Sequence, residues 1–491
     1  MELVWFKRDL RVGDHAPLVE AARRGPIVAL YLYEPSVMGA PDFSFRHLTF
    51  INESLVELET ALAARGGRLV TRIGEAVGVF DEIHRASPVT RIWSHEETGN
   101  GATYARDRAV AAWAKAHGVE WREIPQHGVV RRLASRDGWA RHWQRFMARP
   151  PLPAPEALAD AAPALGSEGI VVPAFVTAGR TLKNEQRGGE RAGQEMLRTF
   201  LAGRGRDYRR GMSSPVTAWD ACSRISPHLA YGNLSMRSVH HAAERRRRTL
   251  MPSEQPFRAS LEAFSSRLSW HCHFIQKLED EPRIEFENMH RSFDGLREDD
   301  FDPEKFEAWR EGRTGYPMVD ACMRALTATG WLNFRMRAML MSFAAYHLWL
   351  HWREPALHLA RLFTDYEPGI HYSQVQMQSG TTGINSLRIY SPAKQVVDHD
   401  PEGVFIRRWV PELAAVPDDF LAEPHRLEPA HQRAIGCRIG IDYPAPIVDH
   451  GRAYRAARTR MERVRRTPEA RRTARDVVRR HGSRKAPMRR F

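Results

Sequence analysis

Two groups of residues in this 491-residue chain are placed where chemistry would need them. The first is the run Cys222-Ser223-Arg224-Ile225-Ser226-Pro227-His228-Leu229. Serine hydroxyls and free backbone N–H groups at a helix start can cradle a diphosphate, although serines there also serve as plain caps. The second is a set of charges in an apolar setting. Glu311 to Leu340 (EGRTGYPMVDACMRALTATGWLNFRMRAML) reads as two amphipathic helices broken at Gly330, with Trp331 opening the second. Met318, Val319, Cys322, Met323 and Leu326 recur at helical spacing, yet Asp320, Arg324, Arg335 and Arg337 fall among them. An unpaired buried charge is prohibitively costly, so these need partners, and the acids of Asp365-Tyr366-Glu367 are the natural ones.

The elements that must position these groups follow from the rest of the chain. Glu2–Phe6, the run PIVALYLYE from Pro26 to Glu34, Arg68–Ile73, Arg91–Ser94 and Val119–Ile124 read as strands. Helices are expected between them, over Ala16–Arg23, Arg46–Arg65, 76–86 and Thr103–His117. Strand and helix alternate, and continuous apolar runs mark strands covered on both faces, so an α/β doubly wound parallel sheet is predicted. No G-x-G-x-x-G follows the first strand. From Arg149 to about Arg191 a Pro/Ala-rich stretch reads as a connector crossing the surface, and helical pattern dominates thereafter. The predicted organisation is an α/β domain over 1–130, a connector over 131–191, an all-α domain over 192–450 and a basic helical segment over 451–491.

With 43% hydrophobic and 27% charged residues the chain reads as globular and soluble. Its net charge of +14 favours a polyanionic partner, because Lys and Arg release counterions from phosphates. Part of the excess lies in the C-terminal segment, where Arg runs read equally as a solvated basic helix or as a contact to DNA phosphates. The cysteines at 222, 272, 322 and 437 show no close pairing, so neither a disulfide framework nor a metal site is expected. The most apolar stretch, Ala338 to Trp352, contains His347 and His351 and is too short to span a bilayer. The amino terminus reads directly as a strand with no signal peptide, and a cytoplasmic monomer is expected.

Several spaced motifs resemble the photolyase/cryptochrome family. They are VWFKRDLRVGDHAPL near the amino terminus, Thr314-Gly315-Tyr316-Pro317, Val319-Asp320-Ala321, Met323-Arg324, Gly330-Trp331, Arg335, Arg337, Asp365, Arg388-Ile389-Tyr390-Ser391-Pro392 and Phe405-Ile406-Arg407-Arg408-Trp409-Val410-Pro411. The resemblance implies an all-α C-terminal domain that binds FAD folded into a U shape, beside a cavity that admits a flipped-out base. Cys222 to Ser226 match the family's phosphate loop, with Cys222 where threonine is usual. Arg337 and Asp365 match the ion pair beside the flavin ring, where a fixed cation stabilises the reduced, anionic flavin. Glu367 matches the second acid. FAD contacts are therefore expected at Tyr208, Cys222, Ser223, Arg224, Ile225, Ser226, Arg267, Trp270, Arg337, Asp365, Glu367 and His371. An antenna chromophore near Glu96 and Glu97 is left open between a folate, a deazaflavin, a second flavin and an empty pocket, and both glutamates read equally as a solvated helix start.

The chain departs from the family at several positions. A glutamate that contacts the damaged base is Arg267, which exchanges an acceptor for a donor; the tryptophan that stacks beside it is kept as Trp270. The asparagine facing flavin N5 becomes His371, a group able to titrate and alter flavin protonation. Phe334 and Ala338 replace an asparagine and a methionine of the lesion cavity, and Met377 replaces a stacking tryptophan. Val375 replaces the first tryptophan of the usual electron-transfer chain, which strands Trp352 and calls for another route through Tyr372, Tyr390 or Trp331. The resemblance implies light-driven repair of pyrimidine dimers in UV-damaged DNA, with cyclobutane dimers favoured because Asn333 and Phe334 stand where enzymes for (6–4) photoproducts have a histidine. Trp270, Arg335 and Met377 would contact the lesion. A cryptochrome-like photoreceptor is the alternative, and a DNA-binding flavoprotein without light chemistry a third reading.

Overall fold

The computed structural model describes residues 1–177, 179 and 185–483. Five parallel strands, β1 (Glu2–Phe6), β2 (Ile27–Tyr33), β3 (Leu69–Ile73), β4 (Arg91–His95) and β5 (Glu120–Ile124), form a sheet of order β3-β2-β1-β4-β5. Every residue of β2 is buried, as a strand covered on both faces requires. Alternation along β1 separates two cores. Leu3 and Trp5 pack with Val28, Leu30 and Leu32 on one face, and Val4 and Phe6 with Ala29, Tyr31 and Tyr33 on the other. The strand order reverses between β1 and β4, which opens a crevice outside their carboxyl ends.

Part of the proline-rich stretch lies along the sheet, and backbone hydrogen bonds tie it there. Ile27 N–H donates to Ala159 O (2.8 Å), Ala161 N–H returns to Ile27 O (2.9 Å), and Arg68 Nε holds Asp160 Oδ2 at 2.8 Å. The expected connector also contains a helix, Trp139–Ala148, that buries Trp139, Trp143, Phe146 and Met147. The regular elements of the remaining described chain are helices. The 26-residue Gln255–Asp280 helix packs along the Pro368–Ser379 helix. Gly369 permits that approach, since a Cβ there would lie 2.6 Å from Ile275 Cα.

The break at Gly330 is real, but Trp331 does not open the second helix. Gly330 ends the Pro317–Thr329 helix at φ +71°, and a side chain there would strike Thr364 Oγ1. The next helix begins only at Phe334, because Trp331 leaves the helical path to lie against the Arg224 guanidinium and meet Trp219 edge-on. The basic C-terminal helices, His450–Arg465 and Pro468–His481, bury Ala457, Met461, Val477 and His481 and expose their arginines. Arg484 and Lys485 of the HGSRK ending lie outside the described residues. No described helix is long and apolar enough to cross a membrane.

Candidate functional site

The Cys222–Ser226 loop is shaped by one guanidinium. Arg204 donates to the carbonyls of Asp220 and Cys222 (both 2.7 Å), Met196 (3.0 Å) and Ser223 (3.3 Å). Arg224 adopts a left-handed conformation at φ +60°, uncommon for a residue with a Cβ, and Ser226 begins a helical turn. The Arg224 guanidinium is clamped between Trp331 (4.1 Å) and Trp219 (4.5 Å), and its Nε donates to Gln186 Oε1 (3.2 Å). Burial pushes its pKa down to about 10, and among the described residues neither Arg204 nor Arg224 forms an ion pair. Two cations without acids, flanking serine hydroxyls at a helix start, are a donor set for an anionic group. Cys222 contributes no charge, because burial raises its thiol to about 12.

Arg337 meets Asp365 in a two-pronged pair, Nη1 to Oδ1 at 2.9 Å and Nη2 to Oδ2 at 2.8 Å. Its Nε donates to Leu332 O (2.7 Å), and its plane lies 4.0 Å from the Phe363 ring centre. The other expected pairings redistribute. Glu367 pairs with Arg8 of the sheet domain at 3.2 Å, and Arg324 pairs with Glu412 at 2.8 Å. Among the described residues Asp320 forms no ion pair and accepts instead from Thr314 N–H and O–H, Gly315 N–H and the Tyr443 hydroxyl. Arg335 is half-buried, and its Nε is enclosed with no hydrogen-bond partner.

The ability of His371 to titrate is displaced well below neutral pH. Its Nε2 lies 2.9 Å from Ala356 O and so carries the proton, and burial lowers its pKa to about 4. His271, on the Gln255–Asp280 helix, is likewise held down to about 3 by burial, with its Nδ1 enclosed and unpartnered. Both residues nonetheless keep a minor part of their surface accessible, and His271 lines the cavity that also holds Glu367. Tyr208 is buried and faces the cation of Arg267, which is exposed. Trp270 is half-buried against His273 and Phe274 (5.5 Å each), and Met377 is half-buried on the facing helix. Ala338 and Val375 are buried, whereas Phe334 is 54% exposed. Trp352 lies wholly inside the core, its Nε1 donating to Asn288 Oδ1 (2.8 Å), so it touches nothing from solvent.

The crevice at the sheet's carboxyl edge is largely closed by charge pairing. Glu97 is neither a solvated helix start nor a free contact: it is buried, accepts from Thr98 and Gly99 N–H, and pairs with Arg106 at 2.6 Å. Arg106 also holds Glu34 and Asp107, and Lys7 joins Asp107 at 3.1 Å. Glu96 lines the small remaining cavity with Lys7, Arg8, His127, His271 and Glu367. Asp9, His15 and His95 cluster at its base with the spacing of metal ligands. Leu18 N–H donates to His15 Nδ1, which leaves the proton on Nε2 facing Asp9, so this cluster is hydrogen-bonded.

Sequence reasoning missed Arg204 and Arg8. Arg8 stands inside the recognised VWFKRDLR run, whereas nothing marks Arg204 among the arginines around it. The donor set fits FAD: guanidiniums without acids and serines for a diphosphate, and the Arg337 cation held by Asp365 for a flat polar ring.

Residues 2–156 match the family model described as DNA photolyase, and residues 264–463 match the FAD binding domain of DNA photolyase. The chain is 30% identical over 488 residues to a deoxyribodipyrimidine photo-lyase of Streptomyces griseus, covering 94% of this chain and 98% of that one. It is 29% identical over 474 residues to a cryptochrome DASH of Gloeobacter violaceus, covering 91% and 93%. A bacterial class III photolyase from Agrobacterium tumefaciens superposes with a TM-score of 0.84 at 26% identity, covering 95% and 98%. An FAD-binding helical region, a parallel α/β sheet domain and similarity along nearly the whole chain place this protein in the photolyase/cryptochrome family.

Proposed function

We propose that the chain is a DNA photolyase that repairs cyclobutane pyrimidine dimers. The observation that carries this reading is the exposed Phe334 beside Arg335, one helical turn from the Arg337–Asp365 pair. An exposed aromatic next to a cation suits a site that stacks an unpaired base and holds its phosphate, as base flipping requires. Trp270 and Met377 line the path inward. Cys222 to Ser226, with Arg204 and Arg224, hold the diphosphate of FAD, and Arg337 fixes positive charge beside its ring. Bound in reduced form and excited by blue light, FAD supplies the electron that opens the dimer and takes it back afterwards.

The lesion preference rests on Asn333. Its Nδ2 is engaged by the carbonyls of Met212 (3.1 Å) and Ser213 (2.9 Å), and the next residue is Phe334, so neither position offers an acid to a (6–4) photoproduct. On this reading residues 1–130 and 192–450 are the antenna and catalytic domains. A photoreceptor role is favoured by one feature, the donor-only side chain of Arg267 in place of a free acceptor for a base. Competition binding in the dark separates the two. A photolyase prefers a duplex with one thymine dimer over the intact duplex, and loses that preference on Phe334→Ala; equal affinity for both duplexes would count for the photoreceptor.

A further inference from the structure

The flavin site and the lesion path use none of the arginines on the two carboxyl-terminal helices, His450–Arg465 and Pro468–His481. Residues 450–483 hold twelve arginines and no lysine, against three acids. The helical period gathers Arg452, Arg455 and Arg463 within about 80° around the first helix, and Arg471, Arg472 and Arg475 within about 100° around the second. All six are exposed, and among the described residues none forms an ion pair. The neighbouring acids serve other arginines: Glu462 takes Arg458 (2.8 Å) and Arg466 (3.1 Å), and Asp476 takes Arg479 (2.8 Å). The opposite faces are fixed to the body. Ala457 and Met461 pack with Phe293 and Tyr346, and Val477 with Leu278, Ile284 and Met289. His481, wholly buried, holds Glu281 Oε2 at 2.5 Å, and His290 Nε2 donates to Ala470 O at 3.0 Å. A basic helix suits a membrane surface when its apolar face is free to insert; here the protein itself covers that face.

We propose that these two helices form a second DNA-binding surface, which grips the phosphates of undamaged duplex beside the lesion site. This rests on the repair reading above. A solvated helix is served as well by lysine, whereas the arginine fork matches a phosphate with two parallel hydrogen bonds. Like charges one turn apart with no acid on them repel, and a polyanion relieves that repulsion. The reach also fits. Arg452 to Arg463 covers about 17 Å of helix axis, the rise of about five base pairs of a straight duplex. The surface adjoins the end of the helix that carries Met377. Arg465 Nη2 donates to Asn385 O (3.2 Å) in the loop that follows that helix, and Arg388 is exposed on the same loop. A Cβ on Gly380, which ends the helix, would lie 2.8 Å from Met461 Cε. Phosphate contacts carry no base information, so this surface holds any duplex and leaves the choice of lesion to the residues around Phe334.

The test uses the FAD-loaded full chain in the dark and a labelled duplex without a lesion, titrated between about 50 and 200 mM salt. Combining Arg452→Gln, Arg463→Gln, Arg471→Gln and Arg475→Gln should lower the slope of log affinity against log salt by about 3–4, since each phosphate contact contributes about 0.9. Arg471→Gln with Arg475→Gln alone should give about half of that change. Lysine at the same four positions should keep the slope. Flavin absorbance should stay normal throughout, because the substituted side chains are exposed. The preference for a thymine-dimer duplex over the intact one should also persist. An unchanged slope in the fourfold glutamine variant overturns this surface and leaves the repair reading standing. A slope that falls as expected in a protein with no lesion preference overturns the repair reading and leaves the surface. Tighter binding of an RNA duplex than of the DNA duplex would overturn the assignment to DNA.

Discussion

Arg224 allows the diphosphate assignment to be tested by two effects of different size. Without ligand, this guanidinium is buried with no acid on it, a net cost to folding that the Trp219 and Trp331 faces and Gln186 only partly offset. Arg224→Ala removes that cost along with a cation–π clamp of about 1–2 kcal/mol and one hydrogen bond of about 1 kcal/mol, so the free protein should change stability by no more than about 1 kcal/mol. With FAD bound, the same guanidinium makes charge-assisted bonds to phosphate of about 1.5–3 kcal/mol. Since 1.4 kcal/mol is tenfold, FAD affinity should fall by about 10- to 150-fold. The assays are urea unfolding of the flavin-free protein and fluorescence titration with FAD. Loss of several kcal/mol of stability with unchanged affinity would show that Arg224 is a structural clamp, and the reasoning would fail.

Asp365→Asn leaves Arg337 without its acid. Breaking a buried pair costs about 3–5 kcal/mol, and because Arg337 keeps a quarter of its side chain accessible the lower end is expected, read from the urea midpoint of the flavin-free protein. His371 has a folded-state pKa of about 4 against an ordinary 6.5, both for burial, so its contribution to stability is present above 6.5 and is lost as pH falls from there towards 4. NMR titration of labelled histidines should show His371 neutral down to about pH 5; a midpoint near 6.5 would contradict the burial argument. Glu97→Gln weakens one arm of the Arg106 cluster and should cost about 1–2 kcal/mol in thermal unfolding, since Glu34 and Asp107 still hold the cation. A change larger for FAD affinity than for stability would instead tie Glu97 to the ligand.

The sheet was legible because parallel strands buried on both faces are written as unbroken apolar runs, with β2 the clearest. Gly330 was legible as a break because only glycine fits its left-handed turn against Thr364, while the path of Trp331 depended on Arg224, a residue 107 positions away on the cation–π contact. The Arg337–Asp365 pair could be anticipated, since an arginine in an apolar helix demands an acid. Which acid each remaining charge would take could not. Glu367 finds Arg8 and Arg324 finds Glu412 through tertiary packing that no local spacing encodes. The neutrality of His371 likewise comes from what surrounds it, a carbonyl from Ala356 and closed walls.

The most direct test of the repair assignment is to mix the reduced, FAD-loaded protein with an oligonucleotide carrying one cyclobutane thymine dimer, illuminate with blue light, and measure intact thymines against a dark control. Light-dependent recovery, absent with a (6–4) oligonucleotide, is the predicted result. Bound FAD with no recovery from either lesion would contradict the repair assignment and leave the photoreceptor.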